Sequence, residues 1–137
     1  MVMKEYQYQI LRFLPDRISG EFVNVGIVVY CPEENYLKAK VIEKVGRLSS
    51  VFTLSDSRSL MRTIRFIRIS FQHKYKELFK ASNTRIVENL ATISNEVLPK
   101  DDSALFFTDV KYGLDLDCDK ALEDLYYRMT KDERIDK

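Results

Sequence analysis

The chain has 137 residues, 45% of them hydrophobic and 31% charged, and its 22 basic and 21 acidic side chains nearly cancel. That length suits a single domain over residues 1–137 with one core, and the composition is that of a globular chain, not a disordered one. A net charge of +1 provides no global field to recruit nucleic acid or a membrane surface. Two cysteines, Cys31 and Cys118, are too few for a disulfide framework and point to a reducing compartment. No apolar run approaches the roughly 18 residues that a membrane span requires. The opening MVMKEYQYQI carries its charges too early for a secretory signal, so a cytoplasmic protein is expected.

The first segment, YQYQILRFLPD, alternates Tyr6, Tyr8 and Ile10 against Gln7 and Gln9. This predicts a strand with one better-buried face, closed by Pro15, which cannot donate to a ladder. RISG reads as a turn in which Gly20 is free to take a positive φ. Phe22 to Tyr30 is a second, nearly continuous apolar strand, β-branched at Val23, Val25, Ile27, Val28 and Val29. CPEEN is a turn cluster. YLKAKVIE is a third strand, with Leu37, Ala39 and Val41 facing away from Lys38 and Lys40. Short polar loops make the three an antiparallel meander.

The period then becomes helical. Leu60, Ile64, Ile67, Phe71, Tyr75 and Leu78 predict a long amphipathic helix over about Asp56 to Phe79, capped by Ser55 or Asp56. A second helix has Asn83 as candidate cap, Ile86, Leu90, Ile93 and Val97 as its buried stripe, and Pro99 beyond its end. SALFFTDVKYGLD returns to strand character. DKALEDLYYRMTKDE is a closing helix with Leu122, Leu125, Tyr126 and Met129 on its stripe, and residues 131–137 are expected to be a frayed tail. The fold class is therefore α+β: an antiparallel sheet of about four strands, in the chain order β-β-β-α-α-β-α, with helices packed on one face.

The motif search mostly excludes. One histidine, His73, and two cysteines cannot assemble a zinc cluster of His and Cys within one chain. The four glycines, Gly20, Gly26, Gly46 and Gly113, stand too far apart for a phosphate-cradling loop, and no G-x-S-x-G elbow exists. Asp115, Asp117 and Asp119 match the first ligand positions of a calcium loop. Lys120 and Tyr126 then stand where that loop needs its glycine and its final glutamate. The acids read instead as caps of the last helix. No metal site, no cofactor and no catalytic constellation is expected.

Two constellations remain. Arg12, Asp16, Arg17, Glu21 and Asn24 form a polar patch around the first strand-turn-strand junction. The structural reading pairs Arg12 with Glu21 and uses Asn24 to satisfy backbone groups beside a bulge or close approach at Gly26. The alternative is a polar pocket at the sheet end, with Glu21 as a general base beside Arg12 and Asn24. Along the long helix, Arg58, Arg62, Arg65, His73, Lys76 and Lys80 fall in one sector nearly opposite the apolar stripe, with no acid among them before Glu77. This face is a ridge for phosphate or an acidic partner, a solvated face, or a surface packed against the C-terminal part. From Asp101 onward eleven acids face only six bases, which makes that internal docking the economical explanation.

The stretch YQYQILRFLPDRISGEFVNVGIVVYCP resembles the N-terminal signature of the bacterial domain-of-unknown-function 3037 (DUF3037) family. There an arginine-aromatic-x-proline segment precedes a G-E-F-x-N-x-G strand, here Arg12, Phe13, Pro15, Gly20, Glu21, Phe22, Asn24 and Gly26. LEDLYYRM resembles the family's closing helix. The resemblance implies a compact bacterial domain and, because members are often encoded beside a HipA-like kinase, a kinase-like protein partner; it supplies no catalytic residues. The function expected is thus a non-catalytic accessory or interaction protein, partnered or self-associating, with nucleic-acid binding through the basic helix as the alternative and no membrane role.

Overall fold

The computed structural model describes residues 2–49, 57–79, 87–99 and 104–132. The expected meander is β1 (Lys4–Phe13), β2 (Val23–Cys31) and β3 (Tyr36–Val41), with a single 3₁₀ turn, Pro32–Glu34, between the last two. A one-turn helix α1 (Gly46–Ser49), the long α2 (Ser57–Phe79) and α3 (Leu90–Val97) follow. The chain then forms β4 (Leu105–Phe107), β5 (Lys111–Asp115) and α4 (Cys118–Thr130). All pairings are antiparallel and the lateral order is β3-β2-β1-β4, with β5 also on β1.

The sheet has five strands because the predicted SALFFTDVKYGLD strand breaks in two. β4 pairs with Leu11–Phe13 and β5 with Lys4–Tyr8, end to end along one side of β1. Thr108 makes the break. Its N–H donates to Ile10 O at 2.9 Å, but its Oγ1, not a carbonyl, accepts the Ile10 N–H at 3.0 Å. A side-chain oxygen substitutes for a rung of the ladder. The register slips by one residue as a result, from Leu11 opposite Phe107 to Tyr8 opposite Lys111.

The helices do not share one face of the sheet, which corrects the sequence expectation. Opposed residues put Gln7, Gln9, Leu11, Val28, Tyr30, Leu37, Ala39 and Val41 on one face. There α2 and α3 pack: Phe79 stacks by Tyr30, Phe71 meets Phe107 edge-on, and Ser94 reaches Gln9. On the other face Tyr36, Lys38 and Lys40 meet α4 at Asp119 and Glu123. The physical reason was in β2, whose central residues Val25, Ile27, Val28, Val29 and Tyr30 are at most 1% exposed. A strand apolar on both faces needs cover on both.

The helix stripes are as the period predicts: Ile64, Ile67, Phe71 and Leu78 of α2 and Leu122, Leu125 and Tyr126 of α4 are buried. Asp117 caps α4, accepting from the Asp119 and Lys120 N–H groups. The cap of α3 is Asn89, which accepts from Ala91 N; the expected cap Asn83 and stripe residue Ile86 lie outside the described residues, as do Ser55 and Asp56. Most of the expected tail, residues 133–137, also lies outside them. Asp132, within that expected tail, accepts at Oδ2 from the Tyr126 hydroxyl at 2.7 Å.

Candidate functional site

The turn between β1 and β2 divides the predicted polar patch. Asp16 Oδ1 accepts from Ile18 N at 2.9 Å and Asp16 O from Gly20 N at 3.1 Å, while Gly20 takes a φ of 73°. Asp16 therefore shapes the turn, as short acids do. Arg17 and Glu21 are exposed on it. Glu21 is not Arg12's partner, contrary to expectation. Instead Arg12 Nε donates to Asn24 Oδ1 at 2.9 Å, and the guanidinium lies 4.2 Å over the Phe22 ring. Asn24 Nδ2 in turn donates to Met129 O at 2.9 Å, taking up a carbonyl in the last turn of α4.

The register explains this choice. β2 carries one extra residue against β1 at Val25, because Leu11 opposes Gly26 while Arg12 opposes Asn24. That bulge turns Asn24 onto the α4 face beside Arg12. Gly26 is needed for the close approach: a Cβ there would stand 2.9 Å from Val41 Cγ1 and 3.0 Å from Lys40 O. Asn24 thus does satisfy a backbone group, though one belonging to the end of a helix and not to the bulge.

Beside Arg12 an open depression of about 420 Å³ is lined by Arg12, Phe106, Phe107, Thr108, Asp109 and Lys111. A second space of about 80 Å³ lies by Gln9, Asn95 and Thr108. Ligand sites for drug-sized molecules occupy roughly 300–1,000 Å³ and enclose most of their guest. The larger depression has the volume but not the enclosure, and Glu21 is not among its lining residues.

The basic sector of α2 is exposed over its described length. Arg58, Arg62, Arg65, His73 and Lys76 are all exposed, and none of them forms an ion pair among the described residues, outside which Lys80 lies. Among the described residues the expected internal docking against the acidic C-terminal part is not seen. Asp119 accepts from the Tyr36 hydroxyl at 2.6 Å and stands 4.0 Å from Lys38, and Glu123 is 3.3 Å from Lys40. Asp119 and Glu123 of α4 are thus engaged by β3, across the sheet from α2. At the margin of the ridge sits Phe66, 64% exposed, a residue the apolar period had no place for. Its position, four residues after Arg62, was the only signal available.

The cysteines offer no nucleophile. Both are buried, and burial followed by the neighbouring Cys31 pushes the Cys118 thiol up to about 12. Burial, then the bond to Asp119, also raises the Tyr36 phenol. Among the described residues no helix is long and apolar enough to cross a membrane.

The chain belongs to the family described as "Protein of unknown function (DUF3037)", whose model matches residues 8–130. No curated protein and no solved structure matches it. Three of the signature residues that carried the resemblance, Arg12, Phe22 and Asn24, meet in one contact that ties the first hairpin to the last helix.

Proposed function

We propose that this protein is a non-catalytic interaction domain of the cytoplasm whose α2 ridge docks an acidic surface of a partner protein. One observation carries the reading. Asp119 and Glu123 of α4 are engaged on the far side of the sheet and Glu77 and Glu96 bind Lys74, so among the described residues Arg58, Arg62, Arg65, His73 and Lys76 are exposed with no ion-pair partner. Arginines beside an exposed aromatic, here Phe66, are the residue types that dominate protein interfaces. The family resemblance makes a kinase-like neighbour the first candidate. Co-expression followed by affinity capture tests it. The complex should form with the parent and be lost in Arg58→Glu/Arg62→Glu/Arg65→Glu, whose melting temperature should match the parent's. Absence of any complex at low salt, or full retention by the triple variant, refutes the reading.

The length of the ridge favours one second reading. From Arg58 to Lys76 it runs about 27 Å along the helix axis, enough to follow a phosphate backbone. Binding of DNA or RNA would then weaken steeply with salt, and the same triple variant would abolish it. A gel shift that is absent at low salt, or flat in salt, removes this alternative.

A further inference from the structure

We infer that the outer edge of β5 is a self-pairing surface, through which two copies of this chain join their sheets antiparallel about Gly113. Among the described residues β5 is hydrogen-bonded on one side only, to β1. An unpaired edge of this kind is a template for another strand unless Pro, a bulge or a charge in its middle blunts it. β5, Lys-Tyr-Gly-Leu-Asp, has its charges only at its two ends.

The sequence of the edge selects a second copy as the occupant. Laid antiparallel on itself about Gly113, the strand sets Lys111 opposite Asp115 of the second copy, and Tyr112 opposite Leu114, each twice. Directly opposed residues share a face, so the charge pairs form on one side of the joined sheet and the apolar pairs on the other. Sliding by one position, to centre on Tyr112 or on Leu114, leaves Lys111 or Asp115 opposite glycine. One register alone satisfies both ends.

Exposure supports the same place. Tyr112 is 57% and Leu114 60% exposed, and just beyond the ladder's last pair, Lys4 with Asp115, stand Met3 at 55% and Leu116 at 45%. Gly113 keeps the centre flat for a reason already internal to the fold, since a Cβ there would run into the Tyr6 ring. A five-residue edge with this apolar fringe is smaller than a standard interface of about 1,600 Å², so the dimer is concentration-dependent.

Sedimentation velocity over a concentration series tests the proposal, with Leu114→Lys as the variant that places a charge mid-edge. The parent's mass should double with concentration, while Leu114→Lys should stay monomeric and melt like the parent. The register has its own test. Tyr112→Cys/Leu114→Cys should oxidise to a covalent dimer, because opposed Cα atoms fall within disulfide reach. Either single cysteine variant should not, because its own copy lies on the diagonal at about 7–8 Å. The native thiols, Cys31 at 0% and Cys118 at 6% exposure, do not compete. A parent that stays monomeric at all concentrations overturns the inference, as does a dimer that Leu114→Lys leaves intact. Cross-linking of a single variant as readily as the double overturns the register. The arginine variants of α2 should dimerise normally, so this edge and the α2 ridge stand or fall separately.

Discussion

Replacing Asn24 by alanine removes two bonds at once, the acceptor for Arg12 Nε and the donor to Met129 O. The first is charge-assisted, worth roughly 1.5–3 kcal/mol when sequestered, and the second is an ordinary amide-carbonyl bond near 1 kcal/mol. Both Arg12 and Asn24 are half-buried, so water can replace part of each. The expected loss is therefore about 2 kcal/mol, out of a total stability on the order of 5–15 kcal/mol. For a domain of this size that corresponds to a fall in Tm of roughly 6–8 °C. Urea denaturation followed by circular dichroism measures it, with the m-value unchanged because the exposed surface is unchanged. Asn24→Asp separates the two bonds. It keeps an acceptor for Arg12 but sets a carboxylate against the Met129 carbonyl, so it should be no more stable than Asn24→Ala. An alanine variant within about 0.5 kcal/mol of the parent would refute the reasoning, and loss of partner binding at unchanged stability would make the Arg12–Asn24 contact a binding site.

Gln9→Leu keeps volume but orphans the Thr108 carbonyl, 2.8 Å from Nε2, and takes from the Ser94 hydroxyl its 2.6 Å acceptor Gln9 Oε1, leaving it the longer bond to Ala91 O at 3.3 Å. It should destabilise by roughly 2–3 kcal/mol, with part recovered in Gln9→Leu/Ser94→Ala, as a double-mutant cycle in urea would read. Gly26→Ala forces its Cβ against Val41 Cγ1 and Lys40 O and should cost about 1–3 kcal/mol. Adding Val41→Ala should recover only a fraction, because the Lys40 oxygen is backbone; full rescue would mean the close approach is not the cause. Cys118, whose thiol is raised from 9.0 to about 12, gives a pH signature. The folded state holds this proton more tightly than the unfolded one, so its contribution is complete below about pH 9 and is lost as pH rises toward 12. Cys118→Ser should flatten that alkaline decline in a melting series. In the native protein at neutral pH both thiols should react with Ellman's reagent only as fast as the chain opens, and fast labelling would contradict their burial.

What the sequence made legible follows from period. Alternation and 3.6-residue spacing place the meander, the stripe of α2 and the cap of α4, because those signals are local. The turn at Asp16–Gly20 is legible for the same reason, each bond spanning a few residues. The misses are long-range. Gln7 and Gln9 look like the wet face of an edge strand, yet Gln7 Oε1 accepts from Leu90 N and Gln7 Nε2 donates to Glu88 O, while Gln9 takes Ser94. These glutamines dock the start of α3 onto the sheet, across more than eighty positions of sequence. Alternation reports which residues share a face and not what covers it. Thr108, likewise, reads as an ordinary strand residue until its hydroxyl is seen in place of a backbone carbonyl.

The candidate patch shows the same limit at finer scale. A strand glycine flagged a bulge or a close approach at Gly26, and both exist, but the extra residue is Val25, one place earlier. The extra residue itself rotates Asn24 to the other face, and so decides that Arg12 finds an amide and not the carboxylate of Glu21. A one-residue ambiguity in register is invisible to composition and decisive for chemistry.

Charge order along the chain misleads for a related reason. Basic α2 and the acidic C-terminal part look like natural partners by sequence, but β3 arbitrates between them. Its pleat sends Leu37, Ala39 and Val41 to one side and Tyr36, Lys38 and Lys40 to the other. The apolar side can be covered only by an apolar stripe, which α2 supplies with Ile64, Ile67 and Phe71. The lysine side needs acids and aromatic faces, which α4 supplies with Asp119, Glu123 and the Tyr126 and Tyr127 rings, 5.1 and 5.5 Å from Lys40. Each helix goes to the side its own stripe matches, and the sheet stands between the opposite charges. The arginines of α2 are left outward by that sorting, since the stripe that docks the helix lies almost opposite them.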